Sequence, residues 1–390
     1  MSSLRTTPVS FLKHAADVAN FYGFRPIRDI EREQLRAAGI KPVSKRMQGA
    51  YSFESAALVC AAQAALRPQD PVLAYYATPN PSHVPAGLCE DATGLLGEFG
   101  LQVVGTSESI GEIVLLKLLV MIASEWGVPL TRVRVNALGD RDSQLRFLRD
   151  LSAHVRKHAD RLEELERKAA LTDPYCLYRM HSDIARDILE NGPRPVNFLS
   201  EKSRAHFRSV LEHLENLGFP YELDYLLAGD DRGPHIAFAL DFDNADATLT
   251  AAYGGRFDEY LKRESHRKDS TGVGASVFFR KKGATKTNFT AVAQPQKPRI
   301  YFAQLGLRAK LQGLEVLDML RTAQIPVQQS FDANHLSLQL ASAAQVGVSH
   351  LLIMGQREAL DGTIIVRSMR NSSQNIIPLR EMPRFLRTLR

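Results

Sequence analysis

Two glycine-bearing segments hold the residue types most suited to chemistry. Ala252-Tyr253-Gly254-Gly255-Arg256-Phe257-Asp258 sets a glycine pair beside an arginine and an aspartate, and Thr271-Gly272-Val273-Gly274 follows after a basic stretch. Glycines inside strands often mark places where a ligand or another backbone comes close. Gly272-Val273-Gly274 is not a dinucleotide fingerprint, because the third glycine and the ribose-binding acid are missing. His154 and His158 stand four apart on a helical stretch, as zinc ligands can, yet no carboxylate-bearing motif or third ligand accompanies them. Asp230 and Asp231 with Asp241 and Asp243 could hold a cation, although acids in loops and at strand ends are ordinarily solvated. No serine or cysteine nucleophile motif is present.

The elements that must position these residues are numerous. At 390 residues and 44% hydrophobic, the chain can bury a full core and divides into two or three domains. No run approaches the ~20 apolar residues that cross a bilayer; the longest, Ile113 to Ala123, is interrupted by Lys117. The N-terminus reads as carrying no signal peptide. Cys60, Cys89 and Cys176 are scattered and odd in number, which suits a reducing cytoplasm rather than a disulfide framework or zinc site.

Net charge is +6, compatible with a polyanionic partner without demanding one. Residues 299–390 hold eleven Lys and Arg against six acids. Arg380, Arg384, Arg387 and Arg390 recur at near-helical spacing, and Lys262, Arg263, Arg267, Lys268, Arg280, Lys281, Lys282 and Lys286 make a second basic zone. Each zone reads either as a solvated face or as a nucleic-acid contact.

Ala291 to Pro298, with two prolines and few anchors, reads as an interdomain linker. It divides a core of residues 1–290, with a helical segment at about 142–217, from a unit of residues 299–390. In that unit Arg299–Leu305, Val327–Ser330, His350–Met354 and Thr363–Ser368 pattern as strands. Ala309–Ala323, Ala333–Val346 and Pro378–Leu389 pattern as helices, so a small α/β domain is expected.

The chain resembles histidyl-tRNA synthetases over nearly its whole length. Arg321-Thr322-Ala323-Gln324-Ile325-Pro326-Val327, and Ala343–Val348 followed by Leu352–Glu358, match the anticodon-binding domain of class II synthetases. Gly97–Ser109 looks like the family's core strand ending in isoleucine-glycine-serine-glutamate. Val133–Asp140 is similar to its asparagine-serine-leucine-glycine turn, and Gly218–Asp224 to the turn before its histidine-recognition loop. The resemblance implies an α+β fold: a class II core with a mostly antiparallel sheet flanked by helices, plus a C-terminal α/β anticodon-binding-like domain. It also implies a homodimer acting in translation, with tRNA, histidine and ATP as ligands and Mg2+ beside ATP. Gly254, Gly255, Arg256, Asp258 and Gly274 would outline the pocket, because the family's Gly-Gly-Arg-Tyr-Asp turn brings backbone against the bound amino acid.

Departures from the family fall on its cations. Joining a carboxylate to the α-phosphate of ATP needs fixed positive charge, usually bidentate arginines. Counting back from Gly105, the family's phenylalanine, arginine, any residue, glutamate falls on His83-Val84-Pro85-Ala86, and Gly87–Leu96 has no Lys or Arg. On the same register the substrate-reading glutamine becomes Glu98 and the core-strand glutamate becomes Gln102. The arginine-glycine-leucine-aspartate-tyrosine-tyrosine loop becomes Gly229–Pro234, and Lys281 replaces the last arginine, keeping charge but losing the planar fork. Arg232 and Lys281 are the candidate replacement cations. The expectation is a synthetase-like pseudoenzyme of the cytoplasm, binding tRNA or regulating amino-acid metabolism as the synthetase-like domain of the amino-acid-starvation kinase does. A working histidine–tRNA ligase is one alternative. The other is a protein like the regulatory subunit of ATP phosphoribosyltransferase, a relative that typically lacks the C-terminal domain.

Overall fold

Ile110–Glu125 is apolar on every side, and a helix of that kind must be enclosed. The computed structural model, which describes residues 8–39, 51–66, 71–78, 96–180, 182–227, 233–243, 249–280, 298–329 and 336–389, places it at the centre of the molecule. In chain order the elements begin with α1 (Pro8–Phe21), β1 (Arg25–Pro26), α2 (Ile27–Ala37), α3 (Phe53–Leu66), β2 (Val72–Thr78), β3 (Leu96–Val104), α4 (Ile110–Glu125) and β4 (Leu130–Ala137). A helical insertion follows as α5 (Arg141–His158), α6 (Glu164–Thr172), α7 (Asp183–Glu190) and α8 (Glu201–Asn216). The sheet then resumes with β5 (Tyr221–Leu223), β6 (Ile236–Phe242), β7 (Leu249–Arg256), α9 (Asp258–Ser265) and β8 (Gly272–Arg280). The C-terminal unit comprises β9 (Ile300–Gln304), α10 (Leu307–Thr322), β10 (Val327–Gln329), α11 (Leu336–Val346), β11 (His350–Met354), α12 (Gln356–Asp361), β12 (Thr363–Ser368), β13 (Gln374–Pro378) and α13 (Met382–Thr388).

The large sheet has eight strands in the order β1-β2-β3-β8-β7-β6-β4-β5. Its six central strands run antiparallel, and only the short edge strands β1 and β5 pair in parallel. Phe99, Leu101, Val103, Val273, Ala275, Val277, Phe238 and Val135 project from one face into the main core. There α4 lies across β3, β4, β7 and β8 and meets α1, α8 and α10. On the other face α2, α3 and α9 cover the β2–β3 side around Ile30, Phe53, Cys60 and Leu261.

The second sheet, β10-β9-β11-β12-β13, is parallel on one side and antiparallel on the other. The fold is therefore α+β with a separate C-terminal α/β unit, as the resemblance implies. Two local readings differ from the sequence patterns. The helical segment expected at about 142–217 is not continuous: α5 ends at His158, Ala159–Glu163 interrupt the α-helix, and Leu162 packs into the insertion's own apolar cluster. β13 has no pattern of alternating burial, since it is a largely exposed edge strand. The segment 291–297 of the expected linker lies outside the described residues. Among the described residues no helix is long and apolar enough to cross a membrane.

Leu116 is fully buried on α4. Leu116→Ala should cost about 2–5 kcal/mol of stability, the usual range for a truncated core leucine, measurable by chemical denaturation.

Candidate functional site

Strand pairing lines up two rows of residues across one face of the large sheet. Ala74, Gln102, Gly274, Gly255, Ala237 and Asn136 form one row; Tyr76, Gly100, Ser276, Tyr253, Ala239 and Arg134 form the next. Side chains two apart on a strand share a face, so both rows look the same way. Small residues in the middle make a floor whose β2–β3 end is packed against Phe53 of α3. A Cβ at Gly255 would stand 2.4 Å from the Ile236 carbonyl oxygen, and one at Gly274 would stand 2.5 Å from the Phe53 ring and 2.7 Å from Gln102 Oε1. Both positions therefore exclude side chains.

Polar groups ring this floor. The Tyr76 and Ser276 hydroxyls both donate to Glu98 Oε1, at 2.5 and 2.6 Å, fixing a buried carboxylate beside the rows. Gln102 Nε2 reaches the Phe53 carbonyl at the start of α3. At the far end Asn136 donates to the Leu227 carbonyl at 3.0 Å. Arg134 binds Asp224 at 2.7 Å and Asp241 at 3.1 Å, while Arg132 binds Asp241 at 2.9 Å and Glu222 at 2.5 Å. Arg280 is exposed at the end of β8, two-residue register placing it with Gly274 and Ser276.

Of the residues singled out from the sequence, Glu98, Gln102, Gly255 and Gly274 come together on this floor. Gly254 and Arg256 face the other way, as strand alternation requires. Arg256 is buried behind the sheet, where Nε and Nη2 clasp both oxygens of Glu112, each at 2.7 Å. Nη1 donates to the Thr106 carbonyl and to Asp258, and Nη2 also to the Glu108 carbonyl. All five guanidinium N–H groups thus have an acceptor inside the protein. Asp258 opens α9, accepting the Gly272 backbone N–H at 2.9 Å as well as Arg256. Arg232 and Lys281, and the segments 83–86 and 87–95, lie outside the described residues.

Sequence reasoning missed Glu112, Tyr76 and Ser276. Glu112 did leave a signal: an acid on the inner side of an otherwise apolar helix needs a cationic partner. His206 on α8 also bonds it, at 2.7 Å. Burial alone would push the Glu112 carboxyl up, but the Arg256 guanidinium, with help from His206, overrides this and holds it down at about 2. Burial pushes the His235 imidazole down, against the raising effect of nearby Asp258.

The chain is similar to several known proteins. Residues 306–389 match the family model described as Anticodon binding domain. The histidine–tRNA ligase of Chlorobium phaeobacteroides is 25% identical over 290 residues, 73% of this chain and 66% of that protein, so the chain spans just under two thirds of that relative's length. The histidine–tRNA ligase of Geobacillus thermodenitrificans is 27% identical over 328 residues, 82% of this chain and 75% of the relative. The apo structure of S. aureus histidyl-tRNA synthetase is 20% identical, covering 81% of this chain and 77% of its own, with a TM-score of 0.41. The C-terminal unit is thus anticodon-binding-like, and the chain as a whole resembles aminoacyl-tRNA synthetases. Within that class it is histidyl-tRNA synthetase-like.

Glu112→Gln should destabilise the fold by about 3–5 kcal/mol, because the buried Arg256 loses its main counter-charge. The folded carboxyl lies below its ordinary 4.5, so the pair's contribution is complete above that pH and is lost as pH falls toward 2. Acid titration of wild type should therefore show a limb in that window, and the glutamine variant should show a flatter one.

Proposed function

We propose that this protein is a histidyl-tRNA synthetase-like pseudoenzyme, a cytoplasmic homodimer that binds tRNA or regulates translation or amino-acid metabolism without charging tRNA. The observation that supports this reading is the commitment of the described arginines of β4 and β7. Adenylate formation requires guanidinium groups that meet phosphate oxygens in the transition state. Arg132 and Arg134 are each engaged by two carboxylates, and Arg256 uses every donor internally. Glu98 places a carboxylate in the floor itself, which opposes a polyphosphate. ATP and Mg2+, which the resemblance implies, thus fit the described floor poorly.

Arg280 favours a second reading, a working histidine–tRNA ligase. Its exposed guanidinium shares the register of the floor and retains the planar fork that suits phosphate. Kinship with the regulatory subunit of ATP phosphoribosyltransferase is disfavoured by the anticodon-binding match at residues 306–389.

Purified protein should give no histidine-dependent exchange of pyrophosphate into ATP above the protein-free blank. Clear exchange that is lost in Arg280→Ala would establish the ligase instead. Arg380, Arg384 and Arg387 are exposed along the final helical segment. Replacing all three with Glu should weaken tRNA binding and reduce the slope of log affinity against log salt by roughly 1 for each phosphate that is no longer neutralised.

A further inference from the structure

We propose that α4 is a strut fastening the C-terminal unit to the sheet as one rigid body, so that the floor of the site and the C-terminal unit cannot reorient independently. A unit reached through a proline-bearing linker is expected to move relative to its neighbour unless the interface between them is large and apolar. Here both ends of one helix are tied. Near its N-terminus, Glu112 clasps Arg256 at the end of β7. Along its length, Lys117 Nζ meets Asp318 of α10 at 2.5 Å, and Asp318 also accepts the hydroxyl of Tyr22, which is fully buried at the end of α1. At its C-terminus both oxygens of Glu125 are held by Arg321 of α10, at 2.5 and 2.8 Å.

The fastening continues beyond α4. Arg321 reaches Asp17 on α1 at 3.1 Å and lies over the Phe21 ring. Buried Gln329 on β10 donates to the Tyr22 carbonyl and accepts from Gln304 of β9 at 2.6 Å. A single apolar cluster runs from Phe11 and Val18 of α1 through Leu115 and Leu119 of α4 to Leu314 and Leu317 of α10. From Glu112 to Glu125 the helix spans about 20 Å at its usual rise per residue. Asp318 is the centre of the joint, because one carboxylate receives groups from α1 and from α4. Burial, reinforced by that carboxylate, pushes the Tyr22 hydroxyl far up, so it remains a proton donor across the working pH range.

Calorimetry and native-state hydrogen exchange on the full chain test the joint. Wild type should unfold in one transition, with the most protected amides of α4 and α10 opening at rates within about threefold of each other. In Asp318→Ala/Arg321→Ala the transition should split. Exchange at the β7 amides ending at Arg256 should also quicken at least about tenfold, although neither substitution touches that strand. Should the double variant fail to fold, Asp318→Asn, which retains an acceptor for Tyr22 but removes the charge facing Lys117, should give a smaller change of the same kind. Two separate transitions in wild type, or β7 exchange unaltered in the variants, would overturn the proposal. None of these readouts depends on tRNA or on ligase activity.

Discussion

The buried pairing of Arg256 with Glu112 is the constraint around which the core is arranged. A guanidinium removed from water must find an acceptor for every N–H, and it finds them on β7's neighbours: the first turn of α4, the carbonyls of Thr106 and Glu108, and the opening of α9. The loop before α4, the first turn of α4 and the start of α9 are thereby held at the end of one strand. The same arrangement decides which way the glycine pair faces. With Arg256 committed to the rear of the sheet, strand alternation sends Gly255 to the front, where it meets Gly274 in the floor.

The floor is consequently a surface of backbone and small side chains whose charges are settled before any ligand arrives. Tyr76 and Ser276 fix Glu98 from two sides, and the carboxylates of Asp224, Asp241 and Glu222 occupy the arginines of β4. Under the proposed function, the described part of this surface suits a small polar molecule better than a chain of phosphates. The electrostatic contrast lies in the partners of the arginines as much as in their number: Arg132, Arg134 and Arg256 are held by carboxylates, whereas Arg280 is exposed at the end of β8.

Much of this was legible in the sequence. The apolar run at Ile113–Ala123, the glycine segments and the alternating C-terminal pattern each correspond to α4, the β7–β8 floor and the second sheet. What sequence could not supply was direction. Arg256 beside two glycines reads as a ligand-facing cation, and only the pairing register shows that one residue of offset turns it to the opposite side. Glu112 was hidden for a related reason: its partner lies far along the chain, so local periodicity records a lone acid without its counter-charge. Edge strand β13 escaped because an exposed strand needs no alternation, and the break after His158 because it follows from packing of Leu162 rather than from a glycine or proline.

The position of α4 also constrains how the molecule can come into being. It is wanted by partners on every side, and one of them, α10, leaves the ribosome long after it. Until that partner emerges, the nascent polypeptide holds an uncovered greasy flank, and interrupted synthesis would release a product prone to stick to its own kind. Arrival of α10 is thus a step in folding the large sheet's core, and a chain cut before it should be a client for chaperones rather than a smaller working version.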